Sequence, residues 1–288
     1  MNAPGVLPLV LLALALARPV AAALQTDIEF ANVAGESLKL DAYVPEGAGP
    51  FPAVILVHGG GWTAGDKSGG PKKALIAPMQ EPLERAGFAW FSINYRLAPK
   101  HRYPACIEDV ETAIRWVKAH AAGYRVDPRR IALSGESAGG HLVALAAVRA
   151  DESTRLAAIV PFYGVFDLPA RVQPGATLLA NYIALFGRES ADAATLALLR
   201  EASPLSHVKR GLPPFLLVHG DADTRVPIAQ SIAMQARLRA AGVPCELFTI
   251  KGAGHGMAGW TAIAPDYKER VVAWLIRTLG TPRAKTKS

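Results

Sequence analysis

The chain is poor in cysteine, modest in charge and free of monotonous sequence. Of its 288 residues only Cys106 and Cys245 carry thiols, which excludes a disulfide-stapled scaffold and a multi-cysteine metal cage. An oxidising compartment would permit one bridge between them. Nothing in the sequence brings their Cα atoms within bridging distance, so the two are read as unpaired. Charged residues make up 19% against 51% hydrophobic, a balance that excludes a disordered chain and supports one large core. Repeats, low-complexity stretches and linker-like segments are absent, so a single domain is expected. The formal net charge of +7 is scattered, apart from Arg283, Lys285 and Lys287 at the end. With no aromatic-interleaved basic stripe, nucleic acid is not an expected partner, whereas attraction to acidic polysaccharides is consistent with the excess. The histidines sit in separate loops without ligand spacing, so no metal is expected, and no cofactor is indicated.

What is present begins at the N-terminus. An uncharged apolar run at 6–17 is followed by Arg18, Pro19 and the small residues Ala21, Ala22 and Ala23, the pattern of a secretory leader with its cleavage site. The run is too short to span a membrane. Its departure from the pattern is the segment 1–5, where the amino terminus is the sole positive charge. Residues 1–23 are read as a signal peptide and 24–288 as the mature domain, periplasmic or secreted. No cysteine follows the run to take a lipid anchor.

Along the mature chain, apolar or alternating segments at 38–44, 53–57, 89–94, 131–133, 157–162, 215–219 and 246–250 predict strands. Helical patterns at 107–121, 141–149, 228–241 and 267–279 lie between or after them. Strands alternating with helices predict an α/β fold, a mostly parallel sheet covered on both faces with an antiparallel lead-in hairpin. Ligands on such sheets bind beyond the carboxyl ends of the strands. The segment 168–214, rich in Ala, Leu and Pro, is long for a connection and predicts short helices packed as an insertion over the site.

Four strand ends carry chemistry. Gly135-Glu136-Ser137-Ala138-Gly139 lies where an apolar run passes into an Ala- and Leu-rich helical pattern. Glycines on both sides of Ser137 let the chain reverse sharply and project the hydroxyl from the sheet. After the strand at 53–57 comes His58-Gly59-Gly60-Gly61-Trp62, whose glycines let backbone amides approach a ligand. Gly60, Gly61 and Ala138 are the candidate oxyanion donors. His58 is read as holding that loop. In Lys251-Gly252-Ala253-Gly254-His255-Gly256 a loop presents an imidazole after the last strand. In His219-Gly220-Asp221-Ala222-Asp223-Thr224-Arg225-Val226-Pro227 two carboxylates compete. Asp223 is preferred as the acid and Asp221 as a brace of the turn.

The order Ser137, Asp223, His255 is that of α/β-hydrolases and differs from the chymotrypsin and subtilisin orders. With His58 to Trp62, Asn94-Tyr95-Arg96-Leu97-Ala98-Pro99, Tyr103-Pro104, Asp109 and Gly135 to Gly140, the chain resembles the bacterial α/β-hydrolase esterases of the carboxylesterase and hormone-sensitive-lipase-like group. The resemblance implies the α/β-hydrolase fold, with Ser137 as nucleophile, His255 as base, Asp223 as orienting acid and an oxyanion hole at Gly60, Gly61 and Ala138. One departure is informative: hormone-sensitive-lipase-like enzymes carry a substantial cap before their glycine motif, and here only residues 24–57 would precede His58. The layout is therefore more similar to compact secreted esterases that remove acetyl or feruloyl groups from plant polysaccharides, and to kynurenine formamidases, whose motif also reads HGGxW.

The expected function is thus a serine carboxylic-ester hydrolase acting on small or polysaccharide-linked esters. An amidase or arylformamidase with the same triad is the alternative, and a non-catalytic binding module the reading from another class. Trp62 and Tyr163 are candidate pocket residues. Glu136, Asp109 and Asp167 are read as structural carboxylates: beside the elbow, under the Tyr95-Arg96 loop and within their own loop.

Overall fold

A computed structural model of the chain describes residues 21–69 and 76–281. The apolar run at 6–17 and the basic end at 283–287 lie outside the described residues. In chain order the elements are β1 (Ala23–Val33), β2 (Glu36–Val44), β3 (Phe51–Val57), α1 (Gln80–Arg85), β4 (Ala89–Ile93), α2 (Ala105–His120), β5 (Val126–Glu136), α3 (Ala138–Arg149), β6 (Ala158–Phe162), α4 (Ala180–Phe186), α5 (Ala193–Glu201), β7 (Phe215–Gly220), α6 (Ala229–Ala240), β8 (Cys245–Ile250), α7 (Trp260–Ile263) and α8 (Tyr267–Leu279).

The strands form one 8-stranded sheet in the order β1-β2-β4-β3-β5-β6-β7-β8. β1 and β2 join antiparallel, and every pairing from β4 through β8 is parallel. The α/β architecture expected from the alternation is the one observed. Central strands of such a sheet are covered on both faces and therefore read as continuous apolar runs. In β3 all of Phe-Pro-Ala-Val-Ile-Leu-Val is buried. Because side chains alternate along a strand, Ile55 and Val57 join one core with α2 and α3, while Val54 and Leu56 join a second core with α1 and α8.

α8 shows the corresponding helical logic, burying Tyr267, Val271, Val272, Trp274, Leu275 and Leu279 on one face. Helix α3 is different, being buried along nearly its whole length. It starts at Ala138, earlier than the predicted 141–149. Ala138-Gly139-Gly140 form its first turn, and a Cβ at Gly139 would overlap the Val57 carbonyl oxygen of β3. Only glycine allows that approach.

β1 lies outside the predicted strands. Phe30 is its one buried residue, so hydropathy gives no signal and pairing with β2 holds it. Cys106 and Cys245 are both free and buried. Between β6 and β7, the segment 168–214 folds into α4, α5 and short 3-10 turns.

Candidate active site

Ser137 follows β5 and precedes α3 with φ 54° and ψ −114°, a left-handed conformation that costs a non-glycine residue on the order of 1–3 kcal/mol. The surrounding contacts fix it there. Its amide donates to the Phe162 carbonyl at 2.9 Å, and its own carbonyl accepts from the His141 amide at 2.9 Å. The Ser137 amide is thereby consumed, and the next one along, that of Ala138, stands first in the helix with no intrahelical acceptor.

His255 comes from the loop after β8. Its Nε2 lies 3.0 Å from Ser137 Oγ and its Nδ1 lies 2.7 Å from Asp223 Oδ2. A carboxylate facing Nδ1 requires the proton on that nitrogen, leaving Nε2 free to accept from the serine hydroxyl. Asp223 itself is clamped by the turn after β7, its Oδ1 accepting from the amides of Arg225 at 2.9 Å and Val226 at 2.8 Å. Burial opposes its ionisation, but hydrogen bonds from His219, His255 and the Val226 amide outweigh that and hold its carboxyl well below the usual range.

His219 carries no functional signal in the sequence. It sits inside the apolar run of β7, fully buried, with Nε2 2.8 Å from the Val226 carbonyl and 3.4 Å from Asp223 Oδ2. Two acceptors facing Nε2 put the proton there, so Nδ1 accepts from Ser231 Oγ at 2.7 Å. Asp221, by contrast, is exposed and accepts from the Gly252 amide at 2.6 Å, bracing the two loops away from His255.

The glycine loop after β3 is held by side chains on every side. The His58 Nδ1 lies 2.8 Å from the Gly59 carbonyl and its ring stacks on Tyr95 at 4.4 Å. Burial drives its pKa down to about 4, so it stays neutral. The Gly59 amide donates to Glu136 Oε1 at 2.6 Å. Gly60 and Gly61 have φ of 95° and 64°, and among the described residues their amides donate to no carbonyl or side chain.

Gly60, Gly61, Trp62, Ser137, Ala138 and His255 share a cavity of ≈ 730 Å³, whose wall also includes Arg171, Leu179, Asn181 and Arg225. Trp62 reaches that wall only at its margin: it is 1% exposed, and its Nε1 donates to His141 Nδ1 at 3.2 Å. Tyr163 requires a correction. It is fully buried, lies off the cavity wall and packs behind His255 with ring centroids 4.8 Å apart. The residue after β6 points into the core instead of the mouth, so Tyr163 backs the imidazole and is no substrate contact.

The remaining carboxylates sit in supporting positions. Asp109 takes the Arg96 amide at 2.8 Å and its guanidinium through Nη2 at 2.8 Å, and Asp167 accepts from the Ala170 amide at 3.2 Å. A second groove of ≈ 780 Å³, lined by Asp167, Leu196 and Arg200 among others, contains none of the Ser137, Asp223 and His255 group. Among the described residues, no three His, Cys, Asp or Glu side chains cluster as a metal site would require. Chemically, the assembled groups can activate a hydroxyl, bind a developing oxyanion through amides and return a proton.

Comparison with known proteins places this site in a family. Esterase LipQ of Mycobacterium tuberculosis is 36% identical over 201 residues, 66% of this chain and 46% of LipQ. The chain spans about half the length of the curated relatives it matches. Among solved structures, a truncated form of a carbohydrate esterase from gut microbiota superposes with a TM-score of 0.78 at 27% identity, over 89% of this chain and 96% of that one. The propionate-bound esterase 2 of Thermogutta terrifontis does so with a TM-score of 0.72 at 26% identity, over 91% of this chain and 96% of that one. The BD-FAE family model matches residues 40–238, from β2 into α6 and across the elbow, the glycine loop and the acid turn, and on that match the chain belongs to the BD-FAE family of α/β-hydrolases.

Proposed function

We propose that the protein is a carboxylic-ester hydrolase that cleaves short-chain acyl esters, acetyl or feruloyl among them, through an acyl-enzyme on Ser137, and that it works outside the cytoplasm. The observation that carries the reaction is the unbroken series Ser137 Oγ, His255 Nε2, His255 Nδ1, Asp223 Oδ2, at 3.0 Å and 2.7 Å, opening onto unpaired glycine amides. In the first half-reaction Ser137 Oγ bonds to the ester carbonyl carbon while its proton passes to His255 Nε2, and Asp223 stabilises the imidazolium. The carbonyl oxygen becomes an oxyanion received by the amides of Gly60, Gly61 and Ala138. Collapse expels the alcohol, which takes the proton from His255. Water then gives a proton to the same nitrogen as it attacks the acyl carbon, the bond from that carbon to Ser137 Oγ breaks, and His255 returns the proton to Oγ as the acid leaves.

The short-acyl reading is supported by the propionate held by the Thermogutta terrifontis esterase, and a saccharide-linked ester by the carbohydrate esterase of similar fold. Export rests on the leader-like pattern of 1–23. The test is turnover of 4-nitrophenyl acetate and butyrate by the protein and by Ser137→Ala, with fluorophosphonate labelling mapped by mass spectrometry. The expected result is a loss of about a millionfold in kcat and stoichiometric label on Ser137. Activity surviving in Ser137→Ala, or label on Ser134, would refute it, and hydrolysis of N-formyl anilides in preference to esters would move the assignment to a formamidase.

A further inference from the structure

The wall of the cavity carries two arginines that the hydrolytic chemistry does not require. Two arginines, Arg171 from the segment after β6 and Arg225 from the acid turn, contribute to the wall that also holds Ser137 and His255. The Arg171 guanidinium and the Arg225 backbone are held in place. The Arg171 Nη2 donates to the Arg225 carbonyl at 2.6 Å, its charge bears on the buried Tyr182 hydroxyl, and the Arg225 amide is bonded to Asp223 Oδ1 at 2.9 Å. Among the described residues neither guanidinium has a carboxylate within ion-pair distance. Arg96 and Arg149, by contrast, pair with the carboxylates of Asp109 and Glu111.

The cavity wall does contain one carboxyl, that of Glu136. It is buried, bonded to the Gly59 amide and pushed up to about 7 by burial, so it is a weak counterweight to two exposed or half-exposed cations. Guanidinium groups with unused donors at the rim of a concave, partly desolvated site recognise carboxylates by charge-assisted hydrogen bonds. Asn181, whose side chain borders Gly61, adds a neutral donor on the same wall.

Resting on the esterase reading above, we propose that the preferred substrate is an ester bearing a free carboxylate, engaged by Arg171 and Arg225 while its ester carbonyl lies over Ser137. The carboxylate can belong to the acyl group, as in a half-ester of a dicarboxylic acid, or to the alcohol, as in an acylated uronic acid.

Two substrate pairs separate these sources. Monoethyl glutarate is compared with ethyl pentanoate for the acyl side, and acetylated galacturonic acid with acetylated galactose for the alcohol side, each by kcat/KM at low and high salt. We expect the acidic member of at least one pair to be favoured about tenfold, with the preference shrinking as salt screens the exposed charges. In the double variant Arg171→Gln, Arg225→Gln the ratio should fall towards about one, and in Arg171→Lys, Arg225→Lys part of it should return. Ratios at or below about one in both pairs for the unaltered protein, or a preference indifferent to salt and to these substitutions, overturn the inference while the neutral esters still report hydrolysis. If the variants do not fold, the ratio and its salt response in the unaltered protein decide alone. Failure to cleave either member of either pair overturns the esterase reading and this inference with it.

Discussion

Exchanging Asp223 for Asn removes one charge and tests the whole orientation of the site. The native carboxylate faces two environments: Oδ1 accepts from the amides of Arg225 and Val226, and Oδ2 faces His255 Nδ1 at 2.7 Å and His219 Nε2 at 3.4 Å. An asparagine must keep its carbonyl oxygen against the two amides, since the reverse orientation would oppose donors to donors and forfeit two hydrogen bonds of about 1 kcal/mol each. Its NH2 group therefore points at His255 Nδ1. That nitrogen must then accept, the proton moves to Nε2, and the imidazole presents N–H to Ser137 Oγ where an acceptor is required. By the behaviour of the same exchange in chymotrypsin-type enzymes, kcat should fall about 10⁴-fold, or roughly 5.5 kcal/mol of transition-state stabilisation. The fold should survive, because His219 keeps its 2.8 Å bond to the Val226 carbonyl. The assay is kcat on 4-nitrophenyl butyrate near pH 8 with melting temperature measured alongside, and Asp221→Asn as the companion. Asp221 only accepts from the Gly252 amide, which an asparagine oxygen can also do, so its kcat should stay within about threefold. More than about a tenth of the parent kcat in Asp223→Asn, or an equal loss in Asp221→Asn, would refute the argument.

Glu136 gives a pH prediction of definite sign. Burial pushes its carboxyl from 4.5 to about 7, so between those values the folded protein holds a proton that the unfolded chain has released, and stability falls as pH rises through the window. Glu136→Gln can still accept from the Gly59 amide and should gain stability relative to the parent between pH 5 and pH 8 in thermal denaturation; a gap that does not change with pH would count against it. Asp109→Ala takes from the Arg96 guanidinium, 12% exposed, its buried partner and leaves it only the exposed Glu108 carboxylate at 3.6 Å. A loss of about 3–5 kcal/mol is expected from urea denaturation, and a loss below about 1 kcal/mol would show that the pair is solvated.

What could be read from sequence follows from how each element is buried. The central strands announce themselves because both faces of the sheet are covered, so their inner stretches, β3 above all, read as apolar runs. β1 has a single buried residue, Phe30, and its existence depends on main-chain pairing that leaves no trace in hydropathy. The start of α3, at Ala138 and ahead of the helical pattern in the sequence, differs for a related reason. Its glycines answer to β3, a neighbour brought close by folding, and local propensity gives them no helical weight.

The candidate site divides along the same line. Ser137 and His255 stand at strand ends among glycines and Asp223 lies in the turn after the strand-end Gly220, so local sequence is enough to nominate them. Tyr163 shares that location but points inward, which only packing decides. His219 is disguised within an apolar strand, and Arg171 and Asn181 lie in a segment whose composition says no more than short helices; only folding carries them to Ser137. Arg225 is the instructive case, because it lies two residues beyond Asp223 and still gave no signal. Its amide is one of the two that clamp the Asp223 carboxylate, so a single turn sets both the orientation of His255 and the position of a cation at the cavity mouth. Loosening that turn should therefore disturb turnover and carboxylate preference together, whereas neutralising the Arg225 side chain, which leaves the amide in place, should separate the two.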